Sequence, residues 1–279
     1  MSYLRTVKAS IWAGWQRDFG WTSPVTGLSL RTIGPIASVM IAATVYYWGS
    51  TASGSFSDSK LAYILVGAAL YAHISAYAWV PTMAIAEGKW TNVFPLVFIS
   101  PRSSPPYVAG RCLASFLSST LTSLTALVAA YFISASMFQS GIPLLVTPFS
   151  ITQLILALIV NIFASMGLGF ALGAYTIFAS KFEWALPMYI SGVLMVFSEA
   201  LFPVSFLPRP LSDFGDILPF TAFIRASREA IIYGSASAYF SNILVSLVGG
   251  IIFLFLGLLA FRLAEEKARM KGIIDRKVV

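Results

Sequence analysis

Charge is scarce in this chain of 279 residues: Lys, Arg, Asp and Glu together make up 10% of it, against roughly 25% in an average soluble domain. A water-soluble fold of that length would not have enough polar surface to cover itself. Cysteine is nearly absent, and the single Cys112 excludes an internal disulfide framework and a cysteine metal cluster. Histidine is equally rare. With His73 alone, H-E-x-x-H zinc sites are excluded, and any Ser-His-Asp arrangement would have to use that one residue. No G-x-S-x-G elbow occurs. Gly88-Lys89 is followed by Trp90 and lacks the upstream glycine of a phosphate-binding loop. No catalytic, cofactor-binding or metal-ligating residues are therefore assigned to this chain.

What the chain does have is apolar length. Hydrophobic residues reach 58% and mean hydropathy is +0.82. A helix crosses the hydrocarbon core with about 20 apolar residues. Six continuous runs qualify: Thr32 to Trp48, Leu61 to Ala86, Val108 to Met137, Phe149 to Ala179, Trp184 to Phe202 and Tyr239 to Phe261. The runs do not alternate as barrel strands do, and a helix satisfies its own backbone in lipid. The expected fold class is an all-α polytopic membrane protein with six transmembrane helices.

The bases set an orientation. Of 18 Lys and Arg residues, only Lys60, Arg209, Arg225 and Arg228 fall on one alternate set of connections; the rest, from Arg5 to Lys277, fall on the other set and the termini. The positive-inside rule then places both termini in the cytoplasm of a cell membrane. The formal net charge of +7 does not point to nucleic acid, because the bases sit at span ends and in the tail instead of along an aromatic groove. Anionic headgroups of membrane lipids are the expected partner.

Residues 1–279 read as one domain. Within 1–30, Leu4, Val7, Ile11, Trp15 and Phe19 recur at spacings of three and four, with Arg5, Lys8 and Arg17 on other faces. That is the pattern of an amphipathic helix lying in a headgroup layer. Residues 263–279, with Glu265, Glu266 and Lys267, read as a cytoplasmic tail continuing the last helix.

Polar groups inside the spans carry two readings each. His73 is an ionisable group within a span, which marks a functional candidate, while a neutral histidine bonded to a neighbouring helix is the structural alternative. Ser115, Ser118, Ser119, Thr122, Ser123 and Thr125 crowd the third span with hydroxyls that suit close packing or a polar strip along a path. Glu199, near the end of the fifth run, reads as a boundary group. His73, Ser118, Thr122 and Glu199 are kept as pathway or packing residues. Small pairs at Gly169 and Gly173, and at Ser246 and Gly250, point to helix packing.

Two connections stand apart. Residues 203–238 hold Pro203, Pro208, Pro210 and Pro219 amid apolar groups, too broken for a helix and too apolar for a free loop. A pair of short re-entrant helices fits. The run L-F-P-V-S-F-L-P followed by L-P-F-T-A-F-I-R-A-S-R-E-A-I-I-Y-G resembles the signature after the fifth helix in the type-2 permease family, the membrane subunits of ATP-binding-cassette exporters. The residues that carry it are Pro203, Pro208, Pro219, Arg225, Arg228 and Gly234. Residues 87–107 resemble that family's coupling segment: Glu87 leaves the second helix, and Ser100 and Pro101 close a short helix before the third. The family's Gly-Thr-Leu-Glu core is replaced by Asn92-Val93-Phe94-Pro95, so no contact from its acidic residue is carried over. Trp90, Val93, Phe94, Leu96 and Phe98 are apolar groups at an aqueous boundary, where a partner or the membrane surface would cover them.

The resemblance implies an obligate complex: two copies of this chain, or of a related permease, and two separate ATPase subunits that carry ATP and Mg and grip Glu87, Trp90, Val93, Phe94, Phe98, Ser100 and Pro101. The chain itself would be a conduit for an amphipathic or hydrophobic substrate such as a drug, lipid or glycolipid, and not an enzyme. An ATP-independent secondary transporter or channel using His73 and Glu199 is the reading from a different class. An intramembrane enzyme is a third.

Overall fold

The computed structural model describes residues 3–20, 23–91, 93–99, 104–137, 143–179 and 183–272. All regular structure among them is helical: α1 (Tyr3–Trp15), α2 (Pro24–Ala52), α3 (Asp58–Trp90), α4 (Val93–Ile99), α5 (Pro105–Met137), α6 (Pro148–Phe178), α7 (Ala185–Phe197), α8 (Leu211–Ile217), α9 (Pro219–Arg228) and α10 (Ala236–Met270). Short π-helical turns follow α1 at Gln16–Gly20 and α9 at Glu229–Tyr233, and a 3₁₀ turn at Val204–Phe206 precedes α8.

Helix starts follow local chemistry. The Ser23 hydroxyl accepts from the Thr26 amide at 3.2 Å ahead of Pro24, and Thr147 and Ser150 form a reciprocal capping box ahead of Pro148. These hydroxyls satisfy amides that have no partner within the helix, and a proline in the first turn gives up an N–H that would be orphaned anyway. Gly234, with φ of 72°, closes the π-turn and Ser235 caps α10.

Five helices, α2, α3, α5, α6 and α10, are long and apolar enough to cross a membrane. The expected fifth span, Trp184 to Phe202, is helical only over the 13 residues of α7, about 20 Å at 1.5 Å per residue, against a hydrocarbon core of about 30 Å. The helix ends at Ser198 because Glu199 takes a left-handed φ of 58° and Pro203 follows.

Central in the bundle is α3, which packs on α5, α6, α2, α7, α4 and α9. Helices α2 and α10 are peripheral. Most of their apolar side chains face outward, Ile33, Ile41 and Val45 on α2 and Leu244, Ile252 and Phe255 on α10 among them. That distribution suits lipid-facing helices, since lipid gives no hydrophobic drive for apolar groups to turn inward.

Helix pairs touch through small residues. Where α6 and α10 run side by side, a Cβ on Gly257 would lie 2.1 Å from the Gly167 carbonyl oxygen, and one on Gly167 would meet the Phe253 backbone at 2.4 Å. Gly250 sits on Ala164, and Gly173 on Ile85 and Phe261. The N-terminal helix also packs on protein: Ser10 and Gly14 of α1 meet Gly110 and Ala114 of α5 so closely that added Cβ atoms would come within 2.5 Å of them. Val7, Ile11 and Trp15 are half-buried, whereas Leu4 and Trp12 are exposed.

Candidate functional site

Two clusters at opposite ends of the bundle, and a polar patch between them, hold most of the residues singled out by sequence. At the end where α3 and α10 begin, the turn after α7 directs the Glu199 side chain inward. Arg225 on α9 donates to both of its oxygens, Nε to Oε2 at 2.9 Å and Nη2 to Oε1 at 2.5 Å, and the Val204 amide donates to Oε1 at 3.0 Å. Tyr63 on α3 adds a longer hydroxyl contact of 3.4 Å. Arg225 reaches Asp216 on α8 as well, at 2.6 Å. Arg228, almost wholly buried, donates to the backbone oxygens of Tyr63 at 3.0 Å and Glu199 at 2.6 Å, and its guanidinium lies over the Tyr63 ring at 3.3 Å. Gly67 makes room for this: a Cβ there would fall 2.0 Å from the Ala200 oxygen and 2.3 Å from Arg228 Nη2.

This cluster ties the irregular chain after α7 to α3, α8 and α9. A buried carboxylate and a buried guanidinium are tolerated because their polar atoms are hydrogen-bonded, save Arg228 Nη1, which only approaches Glu199 Oε2 at 3.8 Å. Glu199, Arg225 and Arg228 are thus brought together. Pro219 starts α9, Pro203 precedes the 3₁₀ turn, Pro208 accepts from the Leu211 amide at 2.9 Å, and Gly234 ends the segment. Sequence reading missed Tyr63, Gly67 and Asp216. An acidic residue ahead of a proline-broken segment, with arginines farther on, was the available signal for the pairing, but nothing pointed to the partners on α3.

The opposite, basic end is laced by ion pairs. Arg17 pairs with Glu87, Arg31 with Asp18, and Lys89 with Glu183 at 3.3 Å; Lys89 also donates to the Ala179 oxygen at 2.8 Å. Ser118 donates to Asp18 at 2.9 Å, so this hydroxyl holds the N-terminal segment to α5. Burial, together with the positive charge of Arg111, lowers the Arg17 pKa. Glu265 on α10 receives the Ser104 amide at 3.0 Å and Arg269 at 2.8 Å.

Helix α4 is split in character. Phe94 and Phe98 are 1% and 2% exposed, stacked edge-on at 4.6 Å, and join Tyr77, Ile85, Phe170 and Phe261 in a core at this end. Gly88 lies against Phe94, and Arg269 lies over Phe98. Phe94 and Phe98, expected on a docking face, therefore face inward, because α4 buries them to anchor itself. Trp90, Val93 and Leu96 are exposed, Leu96 at 62%. Ser100 and Pro101 lie outside the described residues.

Between the ends, His73 is fully buried. Its Nδ1 meets Ser119 Oγ at 3.0 Å, and Tyr77, Phe116 and Phe223 surround the ring; Nε2 has no partner among the described residues. Thr122 donates to the Ser119 oxygen of its own helix at 3.0 Å, which satisfies it locally. Among the described residues no group of three or more His, Cys, Asp or Glu is placed to hold a metal. No protein-family model matches the chain, and no curated protein matches it significantly.

Proposed function

We propose that this chain is the membrane-spanning permease subunit of an ATP-driven exporter of the type it resembles, working with a separate ATPase. The observation that carries the reading is the division of α4. Its aromatic side packs into a core shared by α3, α5, α6 and α10, while its Val93 and Leu96, with Trp90 at the end of α3, stand outward at the basic end. An apolar knob anchored in the ends of several spans is suited to pass a push from a docked partner into the bundle. Exposed apolar groups of this kind call for cover.

In this reading α7 is the fifth of six crossings, completed by the turn that Glu199 starts. The chain from Pro203 to Ala238 re-enters the bundle. Pro219 lies on Gly249, about 20 Å along α10 from its start, and α9 returns to the level of Tyr63, near the start of α3. Irregular backbone at such depth is tolerated only when buried in protein, and α9 is buried almost throughout. The six crossings place both termini in the cytoplasm, with α1 at the inner surface of the cell membrane. The lateral groove between α2, α3 and α7, lined by Ile41, Ala42, Val45, Ile64, Met195 and Leu201, is apolar and suits an amphipathic or hydrophobic substrate. ATP and Mg belong to the partner, two copies of the permease complete the path, and this chain performs no chemistry.

The test is co-purification with an ATPase from native membranes. Leu96→Asp and Trp90→Asp should release that ATPase while the chain stays folded, and retention of the partner by both variants would overturn the reading. One observation favours a second reading, ATP-independent transport: His73, buried with its Nε2 unpartnered among the described residues, is the sort of group a proton relay uses. Transport that persists without any ATPase and is lost in His73→Asn would favour it.

A further inference from the structure

Arg111 is the one well-buried base at the basic end to which the described residues give no partner. It is 5% exposed, six residues into α5, and makes no hydrogen bond or ion pair among them; its Nε is sealed from solvent with no acceptor. Carboxylates at this end have other partners: Glu87 pairs with Arg17, Asp18 with Arg31 and Ser118, Glu265 with Ser104 and Arg269. The guanidinium passes beside Gly14 of α1, with Nη1 3.6 Å and Cδ 3.7 Å from the place a Gly14 Cβ would take. Its charge is felt by Arg17, which is itself paired with Glu87.

A charge taken out of water without a partner is costly enough that proteins pair it or neutralise it, and a guanidinium does not lose its proton. An anion from outside the chain resolves this. The place is the boundary of a spanning helix, in a belt with Arg17, Arg31 and Lys89, where lipid phosphates sit. Guanidinium and phosphate oxygens match in a bidentate fork.

We infer that Arg111, beneath the α1–α5 seam, binds the phosphate of an anionic phospholipid, and that this lipid cements the N-terminal helix to the bundle. The site depends on the chain lying in a membrane and not on any ATPase. Exposed Trp12 and half-buried Trp15 on α1 keep the helix at the depth where the headgroup is offered.

Native mass spectrometry of the full-length protein in neutral detergent tests this, with dioleoyl phosphatidylglycerol, dioleoyl phosphatidylcholine and inorganic phosphate added in turn. Phosphatidylglycerol should bind and raise the melting temperature where phosphatidylcholine does not. Arg111→Leu should lose that affinity by about tenfold or more, the worth of a charge-assisted fork. Arg111→Lys should lose part of it, and Arg262→Gln, at an exposed base of the same end, should keep it. In detergent alone Arg111→Leu should melt no lower than the parent, since an unpaired buried charge has been removed. A lower melting point there would show that the guanidinium has a protein partner, and equal phosphatidylglycerol affinity in all variants would leave it no lipid role; either overturns the inference. A full shift from inorganic phosphate, with nothing added by the lipid, would overturn the lipid as source.

Discussion

Arg225 and Glu199, 26 positions apart in the chain, meet in a two-pronged ion pair, Nε to Oε2 at 2.9 Å and Nη2 to Oε1 at 2.5 Å. One partner sits at the turn that ends α7 and the other on buried α9, so the pair sets where the broken segment sits against α3. Removing one member leaves the other buried charge poorly served, which costs roughly 3–5 kcal/mol for a fully buried pair and less here because Arg225 retains Asp216 and some solvent. Glu199→Gln and Arg225→Gln should each lower the melting temperature in detergent, and the double variant should lose less than the sum. Strict additivity would mean the two residues act apart.

Gly67 and Gly192 make a matched test of packing. An alanine at 67 would drive its methyl into the Ala200 carbonyl and Arg228, whereas nothing lies within 4 Å of a Cβ at 192. Gly67→Ala should be strongly destabilising. Gly192→Ala should be neutral or gain up to about 1 kcal/mol from helix propensity. Similar melting points for the two variants would contradict the placement of Arg228.

At the basic end, Gly110→Leu should free α1 from α5, since even a Cβ would meet Ser10 at 2.5 Å and the Val7 oxygen at 2.7 Å. Limited proteolysis should then cleave within the first 20 residues well before the rest. Gly34→Leu, on an open face of α2, is the control.

The proposed six crossings predict that cysteines at Tyr3 and Met270, in a Cys112→Ser background, react with an impermeant reagent from the same side, and that one at Ser205 reacts from the other. Labels on opposite sides at the two ends would show that α7 does not cross.

Long apolar runs are legible because the bilayer demands them, and five of the six expected spans are helices of sufficient length. The shorter α7 was hidden because its end is set by the left-handed turn at Glu199, the residue that pairs with Arg225, and composition reports neither. The proline-rich segment was legible as broken, since proline forces breaks, but the seat of Arg228 between Tyr63 and Glu199 needed the fold. Phe94 and Phe98 misled because an apolar residue beside an aqueous boundary reads the same whether it meets a partner or its own core. Gly169 and Gly173 were seen as small, yet the closest contact between helices falls at Gly167 and Gly257, for spacing alone does not choose a face. The N-terminal stripe was read from its large residues, and the seam on α5 runs through Ser10 and Gly14.

The account turns on α4 as a grip for an ATPase, and ATP hydrolysis by the assembly purified from native membranes through this chain measures that directly. The account predicts hydrolysis in the parent assembly and its loss from the Leu96→Asp preparation at an unchanged melting temperature of the chain. An assembly that hydrolyses no ATP while the chain still transports, or a Leu96→Asp assembly as active as the parent, would contradict it.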